Sequence, residues 1–369
     1  MQYLRNLARG ESVQRVSDYL VETPGAVGVS LRYDDFWFAL WSVYNALGTQ
    51  EFNRLDASGG SPLLEEGTWW EILAPGYVDA SWSCRTWERW KEWTGLYRDA
   101  PVIVEIQMLA GSFRRNALAE IGDFMGALPG RVVIDTRSAT RAQLGSAKGA
   151  QLGGPIIPGA VWQSAHSPGS IGGLLTAPSG ELCLTTSAHV ADSLGAPVYG
   201  KPRLAGTCVY TAVWPNADQC RDETAVLTLE EGASAETPVE EVTSAMAADD
   251  VPMRVPIRLR GAFSKPRAVE IYQYISNRKV KCLTGDLLIK DGFELRCPAN
   301  GKFRSRWVPP SKGGDSGAWI LSDQPLGTSW CGSLVGGDEV SSVATFASNT
   351  LQALNNGVNG EFSLPAVKR

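Results

Sequence analysis

The chain has 369 residues, with 34 Lys+Arg against 39 Asp+Glu, 44% hydrophobic and 20% charged. That length supplies core for two or three domains and excludes a disordered chain, a collagen and a cysteine-stapled miniprotein. A net charge of -5 and a pI near 5.3 exert no global pull on nucleic acid or an anionic membrane, and no dense Lys/Arg run supplies a local one. No stretch reaches the roughly 18 apolar residues of a membrane span. The opening MQYLRNLARGESVQRV has no apolar segment of secretory type, so the expectation is an intracellular, cytoplasmic protein. Its seven cysteines are odd in number and dispersed, without a C-x-x-C, which favours free buried thiols over disulfides. Only two histidines occur, His166 and His189, and neither stands at zinc-ligand spacing from a cysteine pair. Neither a metal nor a cofactor is expected.

In chain order, eight of the thirteen tryptophans fall between Trp37 and Trp93, a concentration that favours a helical core with aromatic anchors. Trp87, Trp90 and Trp93 recur every third residue among charges, so an aromatic surface for a protein partner is the alternative. Residues Pro101–Met108 (PVIVEIQM) read as a strand. A helix follows, capped by Ser112 and carrying Leu118, Ile121, Met125 and Leu128, and Arg131–Thr136 (RVVIDT) is a second strand. Residues 1–150 are therefore expected to form a Trp-rich α+β accessory or regulatory domain. Its GSAKGA lacks the spacing and the Lys-Ser/Thr end of a phosphate loop.

From Ser138 to Gly159 the composition turns to Ala, Gly, Ser, Gln and Pro, as in an exposed linker. Beyond it lie short β-rich runs: SIGGLLTA, ELCLTTSA, TCVYTAVW, TAVLTL, RVPIRLRG, AVEIYQYI, AWILS, CGSLVGG and SSVATF. Many short strands at close spacing predict an all-β barrel or sandwich over 151–369. Acidic Glu230–Asp250 divides these runs into two groups and reads as a solvated connection or a short helix.

Two local signals carry chemistry. In Gly313-Gly314-Asp315-Ser316-Gly317 the glycines permit a tight turn whose backbone N–H groups converge, suited to holding an oxyanion while serine attacks a carbonyl. In Leu184–Val190 (LTTSAHV) an apolar strand runs through small residues into His189, and imidazole is the general base that a weakly nucleophilic serine needs. Each alone fits an ordinary turn or a structural histidine; the two in this order do not.

With SAH ending at His189, a carboxylate opening the apolar strand near 222–229 and GDSG at Ser316, the chain resembles the chymotrypsin/trypsin-like serine peptidases. Gly172-Gly173-Leu174-Leu175 and SWCGSLVGG are similar to the glycine pair and the channel strand of that family, and the likeness runs from about Pro155 to Leu354. It implies two six-stranded β-barrels, the first at about 160–240 and the second at about 251–355. It further implies a triad of His189, Ser316 and either Asp222 or Glu223, which RDETAVLTL leaves open. Backbone N–H groups of Gly314 and Ser316 would form the oxyanion hole, and Pro310, Val335, Gly336 and Gly337 would line the substrate channel. Pro310 stands where an acid would select basic side chains, and SLVGG holds no histidine of the kind glutamate-specific relatives use. A small or apolar side chain is therefore expected. Asp315 would lie beneath the turn, in some relatives paired with an amine made by proteolysis.

The function expected is a serine endopeptidase acting on protein or peptide substrates, gated or targeted by its N-terminal domain. The alternatives are an inactive protease-fold scaffold and an enzyme that cuts its own linker.

Overall fold

The computed structural model describes residues 1–33, 102–109, 131–135, 142–144, 161–163, 168–191, 193–199, 204–211, 222–229, 242–264, 267–281, 286–297, 309–325, 327–357 and 360–366. Helices α1 (Gln2–Ala8) and α2 (Glu11–Glu22) precede strands β1 (Ala26–Tyr33), β2 (Val102–Met108), β3 (Arg131–Asp135) and β4 (Ala142–Leu144). Next come β5 (Val161–Gln163), β6 (Pro168–Ser170), β7 (Leu174–Thr176), β8 (Leu182–Ser187), the single-turn helix α3 (Ala188–Ala191), β9 (Pro197–Tyr199), β10 (Leu204–Thr211) and β11 (Thr224–Leu229). The chain closes with β12 (Val242–Ala245), β13 (Pro256–Leu259), β14 (Arg267–Lys281), β15 (Asp286–Arg296), β16 (Trp319–Gln324), β17 (Gly327–Gly337), β18 (Ser342–Phe346) and helix α4 (Ala347–Gly357). Among the described residues no helix is long and apolar enough to cross a membrane.

Six antiparallel strands in the order β13-β16-β17-β18-β15-β14 close into a barrel through the β13–β14 pairing. The fifteen-residue β14 pairs with β15 along its length and shares out its other pairings. Its start, Arg267–Glu270, closes the barrel on β13, while residues 274–278 pair with β1. Strands β2 and β3 continue the sheet from β1, the last pair in parallel. The N-terminal elements thus share a sheet and a core with the barrel: Val13, Val16 and Leu20, at helical spacing on α2, are buried with Val29, Leu31, Phe293 and Phe346. Arg5 of α1 locks this arrangement, its Nε and Nη2 donating to Asp291 at 3.0 and 2.9 Å and its Nη1 to Asp249 at 2.6 Å.

The second sheet has seven strands in the order β6-β5-β9-β10-β11-β8-β7. Two closed barrels were the expectation; the described pairings form one closed six-stranded barrel with added strands and this seven-stranded path. Where the sheets meet, Trp319 and Trp330 stack with centroids 4.2 Å apart, packed with Leu175, Cys183, Val226 and, from the C-terminal segment, Leu354 and Phe362. Gly172 and Gly173 let the backbone lie flat on the Trp319 ring, which a Cβ at either would strike.

Two expectations are corrected. Ala142–Leu144, inside the stretch 138–159 read as linker, is a strand paired with both β14 and β17. Val242–Ala245, inside the acidic connection, pairs in parallel with β17. The tryptophan cluster, the helix after Ser112, His166, Cys84, Cys220 and Cys282 lie outside the described residues. Cys183, Cys208 and Cys331 are buried free thiols, as expected.

Candidate active site

His189 lies in the short helical turn at the end of β8, and the hydroxyl run before it fixes its position. Thr186 Oγ1 donates to the carbonyl of Ser170 at 2.9 Å, and Ser187 Oγ donates to that of Leu334 at 3.1 Å. The same Leu334 carbonyl receives the N–H of Gly317 at 2.8 Å. One carbonyl of β17 therefore ties the histidine strand to the serine turn. A second tie runs from the N–H of Ser170 to the carbonyl of Ser316, at 2.8 Å. Gly317, at φ 92°, has no alternative: a Cβ there would press on Ser170, Thr186 and Ser187.

Of the two adjacent carboxylates, Glu223 meets the imidazole. Its Oε1 lies 2.9 Å from His189 Nδ1 and accepts the His189 backbone N–H at 2.9 Å. The alignment follows from the register, since β11 and β8 pair Thr224 with Ser187 and the N–H of Ala188 reaches the Glu223 carbonyl. His189 is 9% exposed and Glu223 2%, so the contact is screened little by solvent. A carboxylate at Nδ1 selects the tautomer with the proton there, leaving Nε2 as the basic nitrogen.

Asp222 turns the other way. It accepts from Thr350 Oγ1 of α4 at 3.0 Å and from Tyr210 OH at 3.4 Å. Burial pushes its carboxyl up to about 7, reinforced by the Glu223 charge and opposed by hydrogen bonds from Thr224, Thr350 and Tyr210.

Ser316 is 2% exposed, and its Oγ donates to the carbonyl of Val335 at 2.9 Å. Within the turn, the N–H of Asp315 is spent on the Lys312 carbonyl and that of Gly317 on Leu334. Those of Gly314 and Ser316 form no hydrogen bond among the described residues. Asp315, fully buried, sits in an internal cradle: its carboxylate accepts the N–H groups of Lys312 at 2.7 Å, Phe263 at 2.8 Å and Ser264 at 3.1 Å, together with the Ser264 hydroxyl. Four donors from the chain itself thus satisfy the buried carboxylate.

Among the expected channel residues, Pro310 is buried at the start of the turn, and Ser311 bonds Ser342 at 2.7 Å. The Val335 side chain packs into the barrel with Ile275, Leu287, Ile289 and Val343, leaving only its backbone toward Ser316. Gly336 and Gly337 follow on β17. The Ser264 cradle and the Thr350 contact have no signal in the sequence, whereas the Ser170 and Ser187 ties are marked by the TTS run before His189.

No protein-family model matches this sequence, and no curated protein matches it. Among solved structures, the chain is similar to a glutamic-acid-specific serine protease that uses a histidine triad in substrate binding, with 13% identity and a TM-score of 0.42 over 57% of this chain and all of that one. It is similar to a Nocardiopsis protease at 18% identity and a TM-score of 0.41, over 58% of this chain and all of that one. An HRV-C 3C protein is also similar, at 13% identity and a TM-score of 0.31, over 51% and 89% of the two chains. The C-terminal part of the chain itself holds one closed six-stranded β-barrel beside a seven-stranded sheet.

Proposed function

We propose that this protein is a serine endopeptidase in which Ser316 is the nucleophile, His189 the general base and Glu223 the acid that orients it. The observation that carries the reading is the single Glu223 oxygen bridging the His189 backbone N–H and Nδ1. In the reaction, Ser316 Oγ rotates from the Val335 carbonyl to His189 Nε2, gives up its proton there and attacks the substrate carbonyl. Glu223 stabilises the imidazolium, and the N–H groups of Gly314 and Ser316 receive the oxyanion. The imidazolium then protonates the leaving amine, and water hydrolyses the acyl-enzyme by the same route in reverse. Protein or peptide chains are the substrates, and no cofactor takes part. The N-terminal accessory segment gates or targets the site through the shared sheet and Arg5.

A second reading, an inactive scaffold on the protease fold, is favoured by one observation: the Ser316 hydroxyl rests on Val335. A fluorophosphonate probe separates the two. Adduct formation at Ser316, located by peptide mass spectrometry and lost in His189→Ala, is the outcome for an enzyme; folded protein that does not label is a gated enzyme or a scaffold, and labelling of residues 151–369 alone separates those two.

A further inference from the structure

A polar cavity of about 270 Å³ lies where the two N-terminal helices meet the barrel, bounded by the end of α1 and by α2 on one side and by β14 and β15 on the other. None of its lining residues takes part in the contacts around His189 and Ser316. Most polar groups on its wall are already spent. The Asp291 carboxylate takes four donors: Nε and Nη2 of Arg5, the Tyr274 hydroxyl at 3.0 Å and Asn349 Nδ2 at 3.3 Å. Asn277 gives its Nδ2 to the Ser17 carbonyl at 2.9 Å and receives the Val29 N–H at 2.8 Å. Gln14 donates to Asp18 at 2.8 Å. The Ser17 and Ser276 hydroxyls bond each other at 3.0 Å, and since one of them accepts, one proton is left to give. Two cations remain on the wall, Arg9 and Lys290. Neither makes an ion pair or a side-chain hydrogen bond among the described residues.

We propose that this cavity binds a small molecule through a phosphate group, as the free ion or on a small ester. What the wall has left to offer is donors: the Arg9 guanidinium from the turn after α1, the Lys290 ammonium from β15, and the remaining hydroxyl proton between α2 and β14. Donors that converge from three elements suit a tetrahedral anion, with oxygens on every side, better than a planar carboxylate. The Asp291 charge does not oppose it, because the Arg5 guanidinium, 2.9 Å away, cancels that charge. The volume falls just below the roughly 300–1,000 Å³ of sites for drug-sized ligands, so the ligand is small. Arg9 belongs to the N-terminal helices and Lys290 to the barrel, so one anion held by both ties the N-terminal segment to the barrel beside the Arg5 lock. The site stands independently of the peptidase reading, since it uses neither Ser316 nor His189.

The test titrates purified full-length protein with inorganic phosphate, with glycerol 3-phosphate and with acetate at matched ionic strength, reading the heat of binding and the thermal unfolding midpoint. Saturable one-to-one binding of a phosphate compound with a raised midpoint is expected, and acetate at the same concentrations moves neither. Arg9→Gln and Lys290→Gln remove charges that hold no described partner, so circular dichroism should show both folded. Each should weaken phosphate binding by about tenfold or more, whereas Arg15→Gln, on the exposed side of α2 and outside the cavity, should change it less than about twofold. Tighter binding of glycerol 3-phosphate than of inorganic phosphate marks an ester as the ligand, and the reverse order marks the free ion. No saturation at millimolar concentrations, acetate binding as tightly as phosphate, binding unmoved by Arg9→Gln or Lys290→Gln, or equal weakening in all three variants overturns the inference.

Discussion

Replacing Glu223 with glutamine keeps the length and shape of the side chain and removes its charge. In the wild type, Oε1 takes two hydrogen bonds from His189, each 2.9 Å long. Hydrogen bonds to a charged acceptor contribute about 1.5–3 kcal/mol, against about 0.5–1.5 kcal/mol for a neutral one. The larger loss falls in the transition state. The imidazolium would form beside a 2% exposed amide with no counter-charge, or the amide would turn its NH2 toward Nδ1 and select the wrong tautomer. An equivalent change in a serine protease triad lowers the rate by about 10^4, or about 5.5 kcal/mol of barrier. Glu223→Gln is therefore expected to slow fluorophosphonate labelling of Ser316 by about 10^3–10^4. Asp222→Asn, facing Thr350 and Tyr210 instead, should change labelling less than tenfold. Pseudo-first-order rate constants at fixed probe concentration provide the comparison, with circular dichroism showing that each variant folds. If Asp222→Asn abolished labelling while Glu223→Gln retained it, the assignment of the acid would be refuted.

Three further outcomes follow from the same contacts. The Asp222 carboxyl, raised to about 7 in the fold, returns to about 3.9 on unfolding, so between these values the native state holds the extra proton. Stability should therefore fall as pH rises from about 4 to about 7 and level off above, a slope that Asp222→Asn flattens in urea titrations across that window. Arg5→Ala strands the buried Asp291 carboxylate, which the Arg5 guanidinium holds below its ordinary range against the opposing effect of burial. The cost should be about 3–5 kcal/mol, read from the urea midpoint. Trp319→Ala opens the junction between the sheets and should cost about 3–5 kcal/mol while erasing the Trp319–Trp330 exciton signal in the circular dichroism difference spectrum.

The β-rich C-terminal part was legible because its strands alternate or run apolar between turn residues: Leu182–Ser187, Thr224–Leu229 and Ser342–Phe346 all appear where the pattern placed them. β15 was not. Its Lys290-Asp291-Gly292 has the composition of a turn, yet Asp291 sits mid-strand at φ 57° because Arg5, Tyr274 and Asn349 all bond its carboxylate. β4 was hidden for a related reason. Its Ala-Gln-Leu carries no strand signal of its own, and what makes it a strand is the open edges of β14 and β17, which come from far along the chain.

In the site, His189 and Ser316 were legible because short-range chemistry marks them: hydroxyl residues before the histidine, glycines around the serine. The acid was not, because successive residues of a strand face opposite sides and a one-residue slip exchanges Asp222 for Glu223. What decides between them lies 126 residues from Thr224, at Thr350 on α4. Thr350 and Tyr210 hold the shorter carboxylate of Asp222 on the far side of the strand. Slipping the register by one residue would bring Asp222 toward His189 but carry Glu223 into the place of Thr224, a buried position against the Thr350 hydroxyl dimensioned for a threonine. The C-terminal helix therefore does more than pack against the first sheet: by claiming Asp222 it fixes the register that delivers Glu223 to the imidazole.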